Sequence, residues 1–224
     1  MKDVSVFDII GPVMIGPSSS HTAGALQIAL FAHNLASGRI KEVKFLLYGS
    51  FAKTYRGHGT DRALLAGILG LHRDDYRIAN SFALADEAGL KYSFETDGQN
   101  TDVHPNTVDI TIKDEAGNER FVRGESIGGG NITIRNIDGI DIDLSGKYNT
   151  LLIMQEDEPG VISGVTGVLS RHGINIAFMR VYREAKGKRA YSIIETDEDM
   201  PRGVTESLLT ITGVTKARFI GRMQ

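Results

Sequence analysis

Apolar residues recur at helical spacing across residues 23–37, where Leu26, Ala29, Leu30 and Ala32 share one face, and Gly38 stands where a left-handed stop is expected. Residues 41–48 read as a strand that ends in Gly49-Ser50. The apolar run 62–71 predicts a second helix, with Thr60 or Asp61 as its cap, and 78–88 a third, stopped by Gly89. Strand-like segments follow at 92–96 and around the alternating Val108, Ile110 and Ile112. Residues 114–118 make a hairpin turn into a return strand at 119–127. Gly128-Gly129-Gly130 interrupts that sheet, and 131–135 and 140–144 read as two more strands.

From Tyr148 the pattern changes. Strands at 150–155, 174–183, 190–196 and 214–220 alternate with helices at 160–172 and from Pro201 to about Ile211. Val161, Val165, Val168 and Leu169 fall on one face of the first helix. The order β-α-β-β-α-β is the ferredoxin-like arrangement. With Ser145-Gly146 as the boundary, the chain is expected to be an α+β protein of two domains, residues 1–146 and 147–224.

A chain of 224 residues can bury a real core in either arrangement, one domain or two. The net charge of −3, the pI near 6.1 and the lack of like-charge runs give no electrostatic footprint for nucleic acid or a membrane surface. No stretch reaches the roughly 18 apolar residues of a membrane span, and Met1-Lys2-Asp3-Val4 opens on charge rather than an apolar core. A cytoplasmic protein is expected. The chain has no cysteine, so it can form no disulfide and offers neither a catalytic thiol nor thiolate ligands for an iron–sulfur cluster.

The densest chemistry is Ile15-Gly16-Pro17-Ser18-Ser19-Ser20-His21-Thr22, which opens directly onto the first helix. A helix start presents unpaired N–H groups and partial positive charge, so this turn can cradle a carboxylate or phosphate. A plain capping sequence with a spare histidine is the structural alternative. Two more loops put an imidazole among glycines, hydroxyls or a proline: Lys53-Thr54-Tyr55-Arg56-Gly57-His58-Gly59-Thr60-Asp61, and Asp102-Val103-His104-Pro105-Asn106-Thr107. His21 or His58 can serve as a general base, since imidazole titrates near neutrality. A three-histidine metal site assembled by the fold stays open, although no local ligand spacing supports one. His33 and His72 read as structural. Lys53 and Arg56 can hold a carboxylate, and Lys53 can alternatively form a Schiff base with pyridoxal phosphate; surface ion pairs are the plainer reading. Gly160 and Gly173 bracket the helix of the C-terminal unit, either as simple caps, with Pro159 near the first helical position, or as backbone left open for a small ligand.

The first motif, extended through Ala23-Gly24-Ala25, resembles the signature of bacterial iron–sulfur L-serine dehydratases, in particular the beta subunit of the two-chain type. The 53–61 passage, His104-Pro105-Asn106 and Ile127-Gly128-Gly129-Gly130 follow in that family's order. Asp157-Glu158-Pro159-Gly160-Val161 with Gly173-Ile174-Asn175-Ile176 resembles an ACT domain, a regulatory fold that pairs through its sheets and binds amino acids. The resemblance implies an N-terminal mixed α+β domain similar to the allosteric substrate-binding domain of phosphoglycerate dehydrogenase. It implies conversion of L-serine to pyruvate and ammonia, with a [4Fe–4S] cluster as Lewis acid. Because this chain has no cysteine, the cluster's ligands would come from a separate alpha subunit, and no metal ligand is assigned here. His21 and His58 are then the expected catalytic pair. Ser18, Ser19, Ser20, Thr22, Lys53, Thr60, Asp61, His104 and Asn106 are the expected serine-binding residues. Asp157, Gly160 and Asn175 are the expected effector site, and a homodimer through the ACT domain is expected. The alternative from a different class is a non-catalytic amino-acid sensor acting through that domain.

Overall fold

A computed structural model describes residues 16–99, 102–145 and 148–221. The chain divides after Gly139 into two compact units. The expected boundary at 146/147 and the N-terminal segment through Ile15 lie outside the described residues.

The first unit opens with a π-helical turn, Ser19–Gly24, that runs into α1 (Ala25–Leu35). It continues with β1 (Ile40–Tyr48), α2 (Gly49–Thr54), α3 (Thr60–Ile68), a 3-10 turn (Tyr76–Asn80) and α4 (Ser81–Glu87). The strands β2 (Lys91–Asp97), β3 (Thr107–Asp114), β4 (Glu119–Gly128) and β5 (Asn131–Ile137) complete it. They lie in the order β2-β1-β3-β4-β5. β1 runs parallel to β2 and antiparallel to β3, and the remaining neighbours are antiparallel.

The alternation in β3 has its expected effect: Val108, Ile110 and Ile112 are buried. On the other face Asp109 takes both Arg123 Nε and Nη2 at 2.7 Å and accepts the Tyr48 hydroxyl at 2.9 Å, joining β1, β3 and β4. Burial and the hydrogen bond to Asp109 together push the Tyr48 phenol up. α1 is apolar nearly all round and is buried from Ala25 to Ala29 and again at Phe31 and Ala32, as a central helix must be. It meets α3 at Gly67, where an added Cβ would stand 2.4 Å from the Leu26 carbonyl oxygen. It meets β4 at Gly124, where a Cβ would stand 2.3 Å from Ile28 Cγ2.

Several local expectations change. α1 stops at Leu35 with Ala36 extended, and Gly38 is not left-handed. The hydroxyl cap expected for α3 is absent: Gly59, at φ 66°, is the N-cap, and Thr60 is the first helical residue. α3 ends at Ile68 rather than Leu71, where Gly70, at φ 79°, leaves the helical path. The third helix is split into a 3-10 turn and α4, because the Asp75 carboxylate caps the Arg77 N–H and sets a tight first turn. α2, where a loop was expected, is a single short helix.

The second unit begins with β6 (Ile140–Leu144) and holds β7 (Asn149–Glu156), α5 (Val161–Arg171), β8 (Phe178–Arg183), β9 (Arg189–Thr196), α6 (Val204–Leu209) and β10 (Val214–Ile220). The sheet order β10-β7-β9-β8, antiparallel throughout, is the ferredoxin-like fold expected from the pattern. Leu151, Ile153, Val165, Val168, Leu169, Ile194 and Leu208 make its core. Gly160, at φ 94°, is the N-cap of α5, which puts Pro159 one residue before the cap rather than inside the helix. β8 begins only at Phe178, because Gly173 turns left-handed at φ 69° and residues 174–177 are spent leaving the helix. Among the described residues no helix is long and apolar enough to cross a membrane.

Candidate active site

The Ser-Ser-Ser-His-Thr segment does not begin as an ordinary α-helix. The Ser18 carbonyl accepts from Thr22 N at 2.9 Å, an α-type spacing, and also from Ala23 N at 3.4 Å, the wider spacing of a π-helix, a form that recurs at functional sites. Ser18 is the N-cap: its Oγ accepts the His21 N–H at 3.1 Å. Gly16, at φ 128°, permits the approach, since a Cβ there would lie 2.3 Å from Thr22 Cγ2.

This turn sets His21 at the centre of a hydroxyl cluster. Its Nδ1 lies 3.1 Å from Ser20 Oγ and 3.4 Å from Ser18 Oγ, while its Nε2 lies 3.0 Å from Ser50 Oγ. Phe51 meets the imidazole edge-on at 5.3 Å, and the His58 ring is tilted over it at 4.7 Å. Burial, and secondarily the neighbouring His58, hold the His21 pKa below the ordinary imidazole value of 6.5. His21 is therefore a neutral base at neutral pH. The fold favours this neutral form, so the stability that depends on it is complete above 6.5 and is lost as the pH falls from there through the lowered folded-state value. Replacing His58 by glutamine removes the like-charge contribution but not the burial. The His21 midpoint, followed by NMR titration of the chain, is expected to rise toward 6.5; a fall would contradict the ring contact.

The other expected site residues divide into those that reach this cluster and those that do not. Ser19 is half-buried in the turn. Thr22 is buried and its hydroxyl is spent on the His58 carbonyl at 3.2 Å, which ties the second loop to the first. His58 Nδ1 is buried with no hydrogen-bond partner among the described residues, and so is Thr60 Oγ1. Asp61 accepts the Arg62 N–H at 2.8 Å, and burial pushes its carboxyl pKa up. Lys53 is exposed. The His104 ring accepts the Asn106 N–H at its Nδ1, 3.2 Å away, and so organises its own loop. Asn106 donates to the Ser126 carbonyl at 3.4 Å and keeps a buried Oδ1 that has no hydrogen-bond partner among the described residues.

Four contributors escaped the sequence reading. Ser50 holds His21 Nε2, Phe51 packs on the ring, and both N–H groups donate to the Pro105 carbonyl, at 2.7 and 3.3 Å. That bond draws the third loop in, through its proline rather than its histidine. Ser126 Oγ donates to the Ser20 carbonyl at 2.8 Å. A hydroxyl on the buried side of β4, in line with Val122 and Gly124, was the available signal for Ser126; for Ser50 there was only a Gly-Ser pair after a strand.

Among the described residues no three His, Cys, Asp or Glu side chains are grouped to hold a metal ion, so the three-histidine site considered above does not form there. His21 and His58 meet, but both ring nitrogens of His21 face hydroxyls and His104 Nδ1 is engaged by backbone. The chemistry of these donors, all imidazole, hydroxyl and amide, does not fit an iron–sulfur cluster.

In the second unit, Asp157 takes Arg183 Nη1 at 3.2 Å and the Gly187 N–H at 3.1 Å, so its carboxylate pins the turn between β8 and β9. Gly160 and Asn175 are both exposed.

Fold and site together define an α+β protein of two compact units, one carrying an imidazole–hydroxyl cluster and the other a ferredoxin-like sheet. The serine dehydratase beta chain family matches residues 5–136 and the ACT domain family residues 149–212, and the chain belongs to the L-serine dehydratase beta-chain family. It is 42% identical over 220 residues to the L-serine dehydratase beta chain of Peptoniphilus asaccharolyticus, covering 98% of this chain and 99% of that one. The probable L-serine dehydratase beta chain of Bacillus subtilis (strain 168) shows the same identity and coverage. A D-3-phosphoglycerate dehydrogenase of Archaeoglobus fulgidus is 24% identical over 186 residues, 82% of this chain and 34% of its own length, in keeping with the expected likeness of the N-terminal fold.

Proposed function

We propose that this chain supplies one wall of an L-serine ammonia-lyase site, the opposite wall belonging to a cysteine-bearing alpha subunit. The observation that carries the reading is His21: an imidazole kept neutral by burial, at the start of a helix, with hydroxyls on both ring nitrogens. Such a group accepts the α-proton of an amino acid, and general-base catalysis of this kind contributes roughly 10²–10⁴ in rate. The turn's hydroxyls and first amides suit the substrate carboxylate. His58 is the second acid/base or orienting group. Lys53, Asp61 and His104 are taken as further substrate-binding residues on the neighbouring loops, with Thr60 and Asn106 contributing through their loops' packing.

Elimination of the β-hydroxyl yields an enamine that tautomerises and hydrolyses to pyruvate and ammonia. This chain's part is to bind the carboxylate and remove the α-proton. Without cysteine it offers no thiolate ligands to a [4Fe–4S] cluster, which would supply the Lewis acid for the departing hydroxyl, so the alpha subunit is required. Residues 147–224 act as the regulatory domain, with an effector near Asp157, Gly160 and Asn175, the Asp157 carboxylate also holding the turn between β8 and β9, and pairing through the ACT sheets. The assembly works in the cytoplasm.

Anaerobic co-expression with a cysteine-bearing alpha chain should give a complex that forms pyruvate from L-serine, while the chain alone forms none. Turnover by the isolated chain, or an iron-loaded complex that leaves L-serine untouched, would overturn the reading.

A further inference from the structure

His21 lies between two groups of hydroxyls, and they are not equivalent. On the Nδ1 side, Ser18 Oγ already accepts the His21 backbone N–H at 3.1 Å, so the Ser18 hydroxyl proton is left to donate. It and the Ser20 hydroxyl both face Nδ1, at 3.4 and 3.1 Å, and lie 3.4 Å from each other. Two hydroxyls with protons to give favour a lone pair at Nδ1. A neutral imidazole then carries its proton on Nε2, and the group placed to accept it is Ser50 Oγ at 3.0 Å.

Ser50 is itself held firmly. Its N–H donates to the Pro105 carbonyl at 2.7 Å, and its own carbonyl accepts the Thr54 hydroxyl at 2.8 Å. Gly49 precedes it at φ 50°, pressed so close to Pro105 that a Cβ would stand 2.7 Å from the Pro105 Cα. Nothing in this arrangement is spent on capping α2 by a side chain. The Ser50 hydroxyl is thus a fixed acceptor on a braced backbone, contributed by an element 29 residues away from the imidazole.

We infer that Ser50 is a positioning residue that sets the tautomer of His21, holding the proton on Nε2 so that the basic lone pair sits at Nδ1, beside Ser18 and Ser20. Its catalytic arm rests on His21 being the base proposed above; its structural arm does not. When His21 takes a second proton, the Nε2–H becomes a charge-assisted donor to Ser50, so the contact also supports the imidazolium. Removing the hydroxyl takes away the Nε2–H acceptor and favours the Nδ1–H form, which can donate to Ser20. That form turns the lone pair away from the hydroxyl cradle.

The test is ring ¹⁵N spectroscopy of histidine-labelled full-length chain, joined to kinetics of the assembled enzyme. The wild type should show the Nε2–H tautomer at His21, Ser50→Ala should move it toward Nδ1–H and lower the His21 titration midpoint, and Ser50→Thr should restore both. In the complex, Ser50→Ala should lower kcat roughly 10- to 100-fold with KM within about 3-fold, as expected for a misaligned base. A wild-type ring protonated at Nδ1, or a tautomer unmoved in Ser50→Ala, overturns the inference. The wild-type spectrum decides it even if the alanine variant fails to fold. Full activity in His21→Ala would instead sink the assignment of the base, leaving the tautomer result to be read on its own.

Discussion

Replacing His21 by alanine is expected to lower pyruvate formation by the assembled enzyme about 10³-fold, within the range for loss of a general base. The substitution removes the ring that Ser18, Ser20, Ser50, Phe51 and His58 surround, and with it the 3.4 Å contact from Ser18 Oγ to Nδ1, yet it leaves the π-turn's backbone bonds in place, because the Ser18 cap on the His21 N–H does not depend on the ring. Thermal unfolding of the variant should therefore stay close to wild type while kcat falls. The comparison requires that iron content and association with the alpha chain be unchanged, both measurable on the purified complex. Activity within tenfold of wild type under those conditions would remove His21 from the chemistry and leave His58, whose buried Nδ1 lacks a partner among the described residues, as the next candidate.

The largest effect on stability is expected at Gly67. An added methyl there meets two backbone atoms, the Leu26 carbonyl oxygen at 2.4 Å and Leu30 N at 2.8 Å, and the Ala29 Cβ at 2.7 Å. Backbone cannot rotate aside as a flexible side chain can, so α1 and α3 must part. Overpacking of this sort costs about 1–3 kcal/mol, and Gly67→Ala belongs at the upper end. For a chain of this size about 3 kcal/mol lowers Tm by roughly 6–12 °C. Gly89→Ala is the natural comparison: Gly89 has φ 65° but nothing within 4 Å of the added Cβ, so its cost is only that of the left-handed backbone, about 1 kcal/mol. Equal losses for the two variants would show that the helices are not pressed together at Gly67. Because α3 starts directly after His58 and Gly59, parting the helices should also weaken the His21–His58 contact, and Gly67→Ala should lose activity below its unfolding range.

These two expectations sit differently in the sequence. The importance of His21 follows from its company of hydroxyls at a helix start, a local pattern. Gly67, by contrast, is one glycine inside an apolar helix, and nothing in its neighbours distinguishes it from Gly70 or Gly89. The same division runs through the site. Thr22 and His58 come from motifs visible in the sequence, but that the Thr22 hydroxyl should end on the His58 carbonyl is a matter of how α1 and α3 cross. α2 shows the limit most clearly: six residues are too few to display a helical period, and the helix starts on two N–H groups held by Pro105, over 50 positions along the chain.

By itself, the sequence determined the alternation of β3, the apolar stripe of α5, the βαββαβ order of the second unit, the π-turn's supply of hydroxyls and the absence of cysteine. Each is a property of neighbouring residues or of composition, governed by period, propensity and chemical type. Only the tertiary structure decided that α3 begins on a left-handed Gly59, that Pro105 rather than His104 braces the site, and that Ser50 and Ser126 close around the first turn. Those outcomes depend on which backbone groups and small residues meet when distant segments pack, and no spacing along the chain records such meetings.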